Sequence, residues 1–301
     1  MKILKLSTML AVILLLFGIY IGPEKKSNPM NNLAQTSKQT TSGYIQCKYY
    51  DEKSFINSLN TAGNTSIKDA EIRGGIVPHH LLAGNMISRF FKVLSVQKPD
   101  MIVIIGPNHR RIGQKELYTG YLDWKTPFGT MESDSETVGR IISDDIAGVS
   151  HKLLEEEHSV SALVPYIKYY MPDTRIVPLL VHGNLGLKKS IELGRKIERL
   201  AGDKNYVVVA SVDFSHYLPA EEADRMDKIT LAAIKKKDLY SISLMGNGNL
   251  DSPPAVISLL TAMDCTRSED FTVLEHNNSG KMPGIRSDST TSYFSIVFFE
   301  K

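Results

Sequence analysis

Four of the eight histidines in this 301-residue chain follow apolar, strand-like runs. His79 closes Gly74-Gly75-Ile76-Val77-Pro78, His109 closes the run from Met101 to Asn108, and His182 closes Arg175 to Val181. His216 follows Tyr206 to Ser211 by way of Val212-Asp213-Phe214-Ser215. Imidazole is the commonest metal ligand and the side chain best matched to proton transfer near neutral pH. A single histidine in such a place is ordinarily structural. Several at equivalent strand ends carry more weight, because that edge is where α/β sheets build sites. Carboxylates accompany them: Asp213 precedes His216 by three residues, and Glu157 stands directly before His158 at a helix start. Two imidazoles meeting at one sheet edge suggest a metal site. His80 adjoins His79, whereas His151 and His276 lack this context and read as surface or structural residues.

The elements that must position these groups can be read from periodicity. In Leu81 to Val96 the apolar residues Met86, Ile87, Phe90, Phe91 and Leu94 recur every three or four positions, which predicts a helix. Strand, helix, strand is a βαβ unit, and its crossover is expected to leave the two strands parallel and close together. Further helices are predicted over 49–59, 138–146, 160–170, 187–200, 221–237, 239–245 and 255–263, with Pro253 and Pro254 tolerated in the first turn of the last. Two strands, 271–275 and 293–299, end the chain, and a turn at Thr126-Pro127-Phe128-Gly129 follows the single tryptophan, Trp124. Helices and strands alternating in this way predict one α/β sandwich, a mixed central sheet with helices on both faces.

The ends and the composition set limits. Lys2 and Lys5 precede an uncharged apolar run from Leu6 to Gly22, so residues 1–22 read as a signal anchor or signal peptide that puts the body outside the cytoplasm, tethered or secreted after cleavage. Residues 23–45 are polar and read as a flexible linker, leaving 46–301 for the domain. A net charge of +2 gives no sign of nucleic-acid binding. Two cysteines, Cys47 and Cys265, are too few for a disulfide framework, although outside the cytoplasm they could pair.

Five segments, in order, resemble the successive signatures of the Memo-like family. They are Val77-Pro78-His79, Gly106-Pro107-Asn108-His109, Thr126-Pro127-Phe128-Gly129, Glu157-His158-Ser159 and Ser211-Val212-Asp213-Phe214-Ser215-His216-Tyr217. In prokaryotes the family is known as AmmeMemoRadiSam system protein B, and the resemblance runs over residues 72–300. It implies a fold similar to class III extradiol (LigB-type) dioxygenases, non-haem iron enzymes that open catechol rings. It also matches His79 and His109 to two metal-binding histidines. The family's third ligand is a cysteine in a Cys-Gly-x-x-Pro-like motif opening a late helix. Here the matching stretch is Asp251-Ser252-Pro253-Pro254-Ala255-Val256-Ile257, so aspartate stands in the cysteine's place. Two histidines with one carboxylate form a facial triad suited to Fe(II), with Zn(II) or copper as alternatives. Asp251 is equally suited to cap the helix that follows. By resemblance His216 faces the metal as an acid/base group. Asp213 either orients His216 or holds a ligand imidazole, and His158 with Glu157 lines the same cavity. His182 has no family motif behind it, and packing explains it better.

Three functions follow as expectations. The first is a mononuclear iron protein with dioxygenase-like redox chemistry on a small-molecule substrate. The second is a metal-binding or protein-interaction module without turnover, tethered at the membrane. The third is a zinc-dependent hydrolase. The resemblance further implies an AMMECR-like protein and a radical S-adenosylmethionine protein as partners.

Overall fold

Valine, isoleucine and leucine crowd the central strands so densely that both faces of the sheet must be covered. The computed structural model describes residues 43–300, apart from 64–66, 68–69, 203, 283 and 286–287. The anchor or signal segment 1–22 and nearly all of the linker lie outside the described residues. Among the described residues no helix is long and apolar enough to cross a membrane.

The first third of the fold runs β1 (Ile45–Gln46), α1 (Glu52–Thr61), β2 (Glu71–Val77), α2 (Gly84–Leu94), β3 (Met101–Pro107), β4 (Leu117–Thr119), β5 (Trp124–Thr126) and β6 (Gly129–Met131). Then come α3 (Ser135–Ser143), β7 (Gly148–Val149), α4 (His151–Glu156), α5 (His158–Ser161), α6 (Val164–Tyr170), β8 (Arg175–Val181) and α7 (Leu187–Ala201). The remainder is β9 (Tyr206–Ser211), β10 (His216–Leu218), α8 (Ala220–Lys236), α9 (Leu239–Ser243), α10 (Pro253–Cys265), β11 (Asp270–Asn278) and β12 (Thr290–Glu300).

Among the described residues one sheet has the order β10-β12-β2-β9-β3-β8-β4-β7, with β11 on the other side of β12. The centre, β2-β9-β3-β8, is parallel. β12 is antiparallel to β2, and β4 to β8. The sheet is therefore mixed, as the sequence predicts. One expectation needs correcting: β2 and β3 are parallel but not neighbours, because β9 lies between them, pairing Gly74 with Val208 and Met101 with Tyr206. A right-handed crossover fixes direction, not adjacency, and the most apolar strand takes the central place.

Alternation along each strand feeds two cores. Met101, Val103 and Ile105 of β3 join Val208 and Ala210 of β9 against α3, α7 and α10. Ile102 and Ile104 join Val207 and Val209 against α1, α2 and α6 on the opposite face. This period of two is what a strand covered by helices on both sides requires. The α7–α10 contact is close: a Cβ on Gly194 would lie 2.4 Å from the carbonyl oxygen of Ser258.

Several boundaries shift for local reasons. The helix expected over 160–170 divides into α5 and α6, with Pro165 in the first turn of α6. Ile45, placed in the linker by its sequence, is a buried β1 residue paired with Trp124. Cys47 and Cys265 do not pair; both are free, the second exposed at the end of α10.

Candidate metal centre

Parallel pairing brings the carboxyl ends of β2, β9 and β3 to one edge, and each delivers a polar residue there. Beyond β2, Pro78 leads to His79, whose side chain is almost wholly buried. β9 ends in Ser211, in register with Val77, and runs on to Asp213. β3 leads to His109, which is partly exposed. α5 sits directly on the end of β3 because residue 106 is glycine: a Cβ there would lie 2.6 Å from Ser159 Oγ and 2.9 Å from Ser159 Cβ. That approach carries Glu157 and His158 to His109.

Asp251 arrives from the far side, at the start of α10. The alternatives for this residue were ligand and helix cap. The cap is Ser252, whose side chain accepts from the Ala255 N–H, while Pro253 and Pro254 occupy the first turn. Asp251 therefore does not cap α10. Its Oδ2 lies 3.3 Å from His79 Nε2 and 3.5 Å from His109 Nε2. Its Oδ1 is buried with no hydrogen-bond partner. Donor atoms bound at about 2.1 Å to one ion, at angles between tetrahedral and octahedral, lie about 3.0–3.4 Å apart. The Asp251–His79 contact falls in that range and the Asp251–His109 contact just beyond it, while the sets of donor atoms at this edge that all lie within 4.8 Å of one another are His79–His109–His158 and His79–Asp213–Asp251.

The outer nitrogens of both imidazoles are fixed. Ser211 Oγ donates its only hydrogen to the Ser159 carbonyl, so at 3.2 Å from His79 Nδ1 it can only accept. Glu157 Oε1, 2.8 Å from His109 Nδ1, is also an acceptor. In both neutral rings Nδ1 thus carries the hydrogen and Nε2 presents its lone pair to Asp251. Groups of this kind set the tautomer and basicity of metal-binding histidines. Glu157 is itself held by the backbone N–H groups of His109 and Ser159, at 2.9 and 3.1 Å. Ser211, which sequence reasoning missed, and Glu157, which it placed only in the cavity, are both orienting groups. The signal for Glu157 was its place in Glu157-His158-Ser159. For Ser211 no signal existed without knowing that β9 separates β2 from β3.

Without a metal ion, the charges favour protonated imidazoles beside an ionised Asp251. Burial alone would raise the Asp251 carboxyl, but His79 and His109 hold it well below the usual carboxylate range. Burial opposes protonation of His109, yet Asp251 and Glu157 outweigh it and push the ring up to about 10. Asp213 and Asp251 raise His79 in the same way, against its burial. Burial also opposes ionisation of Glu157, and the bonds from His109 and His158 bring it down regardless.

The remaining candidates divide. His158 joins the centre: its ring stacks on His109 with centroids 4.4 Å apart, and its Nδ1 lies 3.1 Å from Glu157 Oε1. One nitrogen from each of His79, His109 and His158 can gather within 4.8 Å. Asp213 faces His79 rather than His216, with Oδ1 accepting from the His79 N–H at 3.1 Å and Oδ2 3.5 Å from Nε2. His216 lies outside the clustered ligand atoms. Its N–H donates to Asn247 O at 2.7 Å, and its buried Nδ1 has no partner. Tyr217 beside it has φ 61°, a left-handed conformation costly for a bulky residue. His182 accepts from the Asn184 N–H at 3.1 Å in its loop, and His276 bonds Asp227 at 2.7 Å away from the centre.

Comparison with known proteins gives the family of the chain. The family described as Memo-like protein matches residues 48–297. A MEMO1 family protein of Pyrobaculum aerophilum is 33% identical over 240 residues, covering 76% of this chain and 84% of the relative. A MEMO1 family protein of Aquifex aeolicus is 27% identical over 231 residues, covering 74% and 84%. The fold is similar to that in the crystal structure of an uncharacterized protein from Escherichia coli K12, with a TM-score of 0.51, 16% identity, and coverage of 75% of this chain and 99% of that one. A match over nearly the whole described domain, with a relative above 30% identity, establishes that the chain belongs to the Memo-like protein family.

Proposed function

We propose that this protein holds a single non-haem iron ion through His79, His109 and Asp251 and carries out redox, dioxygenase-like chemistry on a small molecule. The observation that supports it is Asp251 Oδ2 set between two Nε2 atoms whose opposite nitrogens are tied to Ser211 and Glu157. Bound there, iron would supply Lewis acidity and open positions for substrate and oxidant. The chain's own groups divide the rest of the work. Ser211 and Glu157 hold the imidazoles in place, and the burial of His79 and Asp251 keeps water from their inner side. His158, with Nδ1–H on Glu157, leaves Nε2 to take or return a proton at a bound substrate. By resemblance His216, whose buried Nδ1 has no hydrogen-bond partner, is the second candidate for that role. Location outside the cytoplasm, tethered by residues 6–22 or secreted after cleavage, and partnership with AMMECR-like and radical S-adenosylmethionine proteins belong to the same proposal. They are supported by sequence and resemblance.

The test is anaerobic purification followed by elemental analysis of wild type, His79→Ala and Asp251→Ala. Near-stoichiometric iron in wild type that falls about tenfold or more in both variants is expected, since each loses one of three ligands. Full occupancy in both variants overturns the assignment. Zinc in iron's place turns the reading toward hydrolysis, which the same donor set supports.

A further inference from the structure

Between α8 and the last two strands lies a second group of metal-ligating side chains, separate from those gathered at the sheet edge. Asp224 and Asp227 stand three residues apart on α8 and so share a face of it. His276 and Asn278 stand two apart on β11 and share a face of the sheet. Their cross-strand partners on β12 are Phe294 and Ser292. The His276 ring stacks on Phe294 with centroids 4.1 Å apart, and Ser292 Oγ donates to Asp227 Oδ1 at 2.7 Å, so this face of the strands looks onto α8. One oxygen from each aspartate and one nitrogen of His276 lie within 4.8 Å of one another.

Hydrogen bonds account for most of this group, but not for all of it. Asp227 is wholly buried; its Oδ1 accepts from Ser215 and Ser292, and its Oδ2 lies 2.7 Å from His276 Nε2. Asn278, also wholly buried, donates from Nδ2 to Asp224 Oδ1 at 2.8 Å and to Ala220 O at 3.4 Å. Two acceptors on Nδ2 fix which way the amide is turned, and its Oδ1 is left buried with no partner. That oxygen belongs to the same amide group that bonds Asp224, on the strand face that carries His276. A buried acceptor without a donor is uncommon, and a bound ion is one of the few things that satisfies it. Among the described residues Lys281 is the one ammonium paired with the group, 2.7 Å from Asp224 Oδ2, and its side chain is half-exposed.

We propose that Asp224, Asp227, His276 and the side-chain oxygen of Asn278 form a second site, which takes a divalent transition-metal ion. Two carboxylates, an imidazole and an amide oxygen are the mixed donors such ions accept, and four of them suit tetrahedral zinc. A divalent charge balances the two carboxylates and gives the Asn278 oxygen its missing partner. Donors on one ion lie about 3.0–3.4 Å apart. Loading therefore opens the His276–Asp227 hydrogen bond, turns Asp224 inward and releases Lys281 to solvent. Because Asp227 also holds Ser215, the ion ties α8 and β11 to the segment that carries Asp213 and His216. The site does not depend on the metal reading of the sheet edge.

The experiment is zinc titration of the metal-free full chain against a chromophoric chelator, in a His79→Ala background that takes one donor from the sheet-edge centre. His276→Gln and Lys281→Met are each added to that background. The glutamine amide can still bond Asp227 but brings no imidazole nitrogen, and Lys281→Met removes the competing ammonium. The background is expected to bind a zinc ion whose affinity falls about tenfold or more in His276→Gln and rises several fold in Lys281→Met. Equal zinc affinity in all three, which a hydrogen-bond network without an ion would give, overturns the site. Zinc that is lost in His276→Gln but held no more tightly in Lys281→Met overturns Asp224 as a donor.

Discussion

In the proposed centre a proton and a metal ion would compete for the same nitrogen of His109. Paired with Asp251 and Glu157, its ring is raised from an ordinary value of 6.5 to about 10. A raised folded value means that the stabilisation of the protonated ring is fully present below about 6.5 and is lost as pH rises through 10. Metal uptake at neutral pH must displace that proton, so affinity should climb with pH and binding should release protons to the buffer. Calorimetric metal titrations across about pH 6–9, in buffers of different ionisation enthalpy, measure both effects. An affinity that is flat over this range would remove His109 Nε2 as a donor. At this scale the sequence was informative where a residue ends an element. His79 and His109 follow strands and Asp251 directly precedes the N-cap of α10, so position and resemblance were enough to name all three as candidates. Ser211 and Glu157 could not be given their roles, because those depend on which strands and loops become neighbours.

The helices show how an element can reverse a residue's usual effect. Alanine in place of an interior helical glycine ordinarily stabilises by about 0.5–1 kcal/mol. In α7 the added Cβ of Gly194→Ala would sit 2.4 Å from the Ser258 carbonyl oxygen and 2.7 Å from Thr261 Cβ, forcing α7 and α10 apart. We expect a loss of about 1–3 kcal/mol in urea denaturation, and a gain in stability would show that the two helices separate freely. Long elements with clear periodicity, such as α2 and α7, were legible to within a few residues. The strands β4 to β7 and β10 were not, since two or three residues are too few to show a period. The break between α5 and α6 was marked by Pro165, yet the amphipathic pattern across it read as continuous.

Across the whole molecule the last strand returns to the sheet edge beside the centre. β12 pairs with β2, and its Tyr293 hydroxyl lies 2.6 Å from His80 Nδ1, next to His79. The layer order, a mixed sheet between two helical faces, was legible because alternating elements leave few other solutions. The insertion of β9 between β2 and β3 was not, because a crossover constrains handedness rather than neighbours. The placement of sulfur also emerges only at this scale. Burial pushes the Cys47 thiol up to about 12, Cys265 is raised as well, and neither belongs to the clustered ligand groups. With aspartate where the family resemblance expects cysteine, the centre contains no atom that can climb the oxidation ladder from sulfenic to sulfonic acid. Iodoacetamide should therefore leave the metal content of the proposed centre unchanged, whereas a thiolate-ligated centre would lose its ion. Thiol-blocking or disulfide-forming conditions that silence a sulfur-ligated site would leave the donor atoms proposed for this one unchanged.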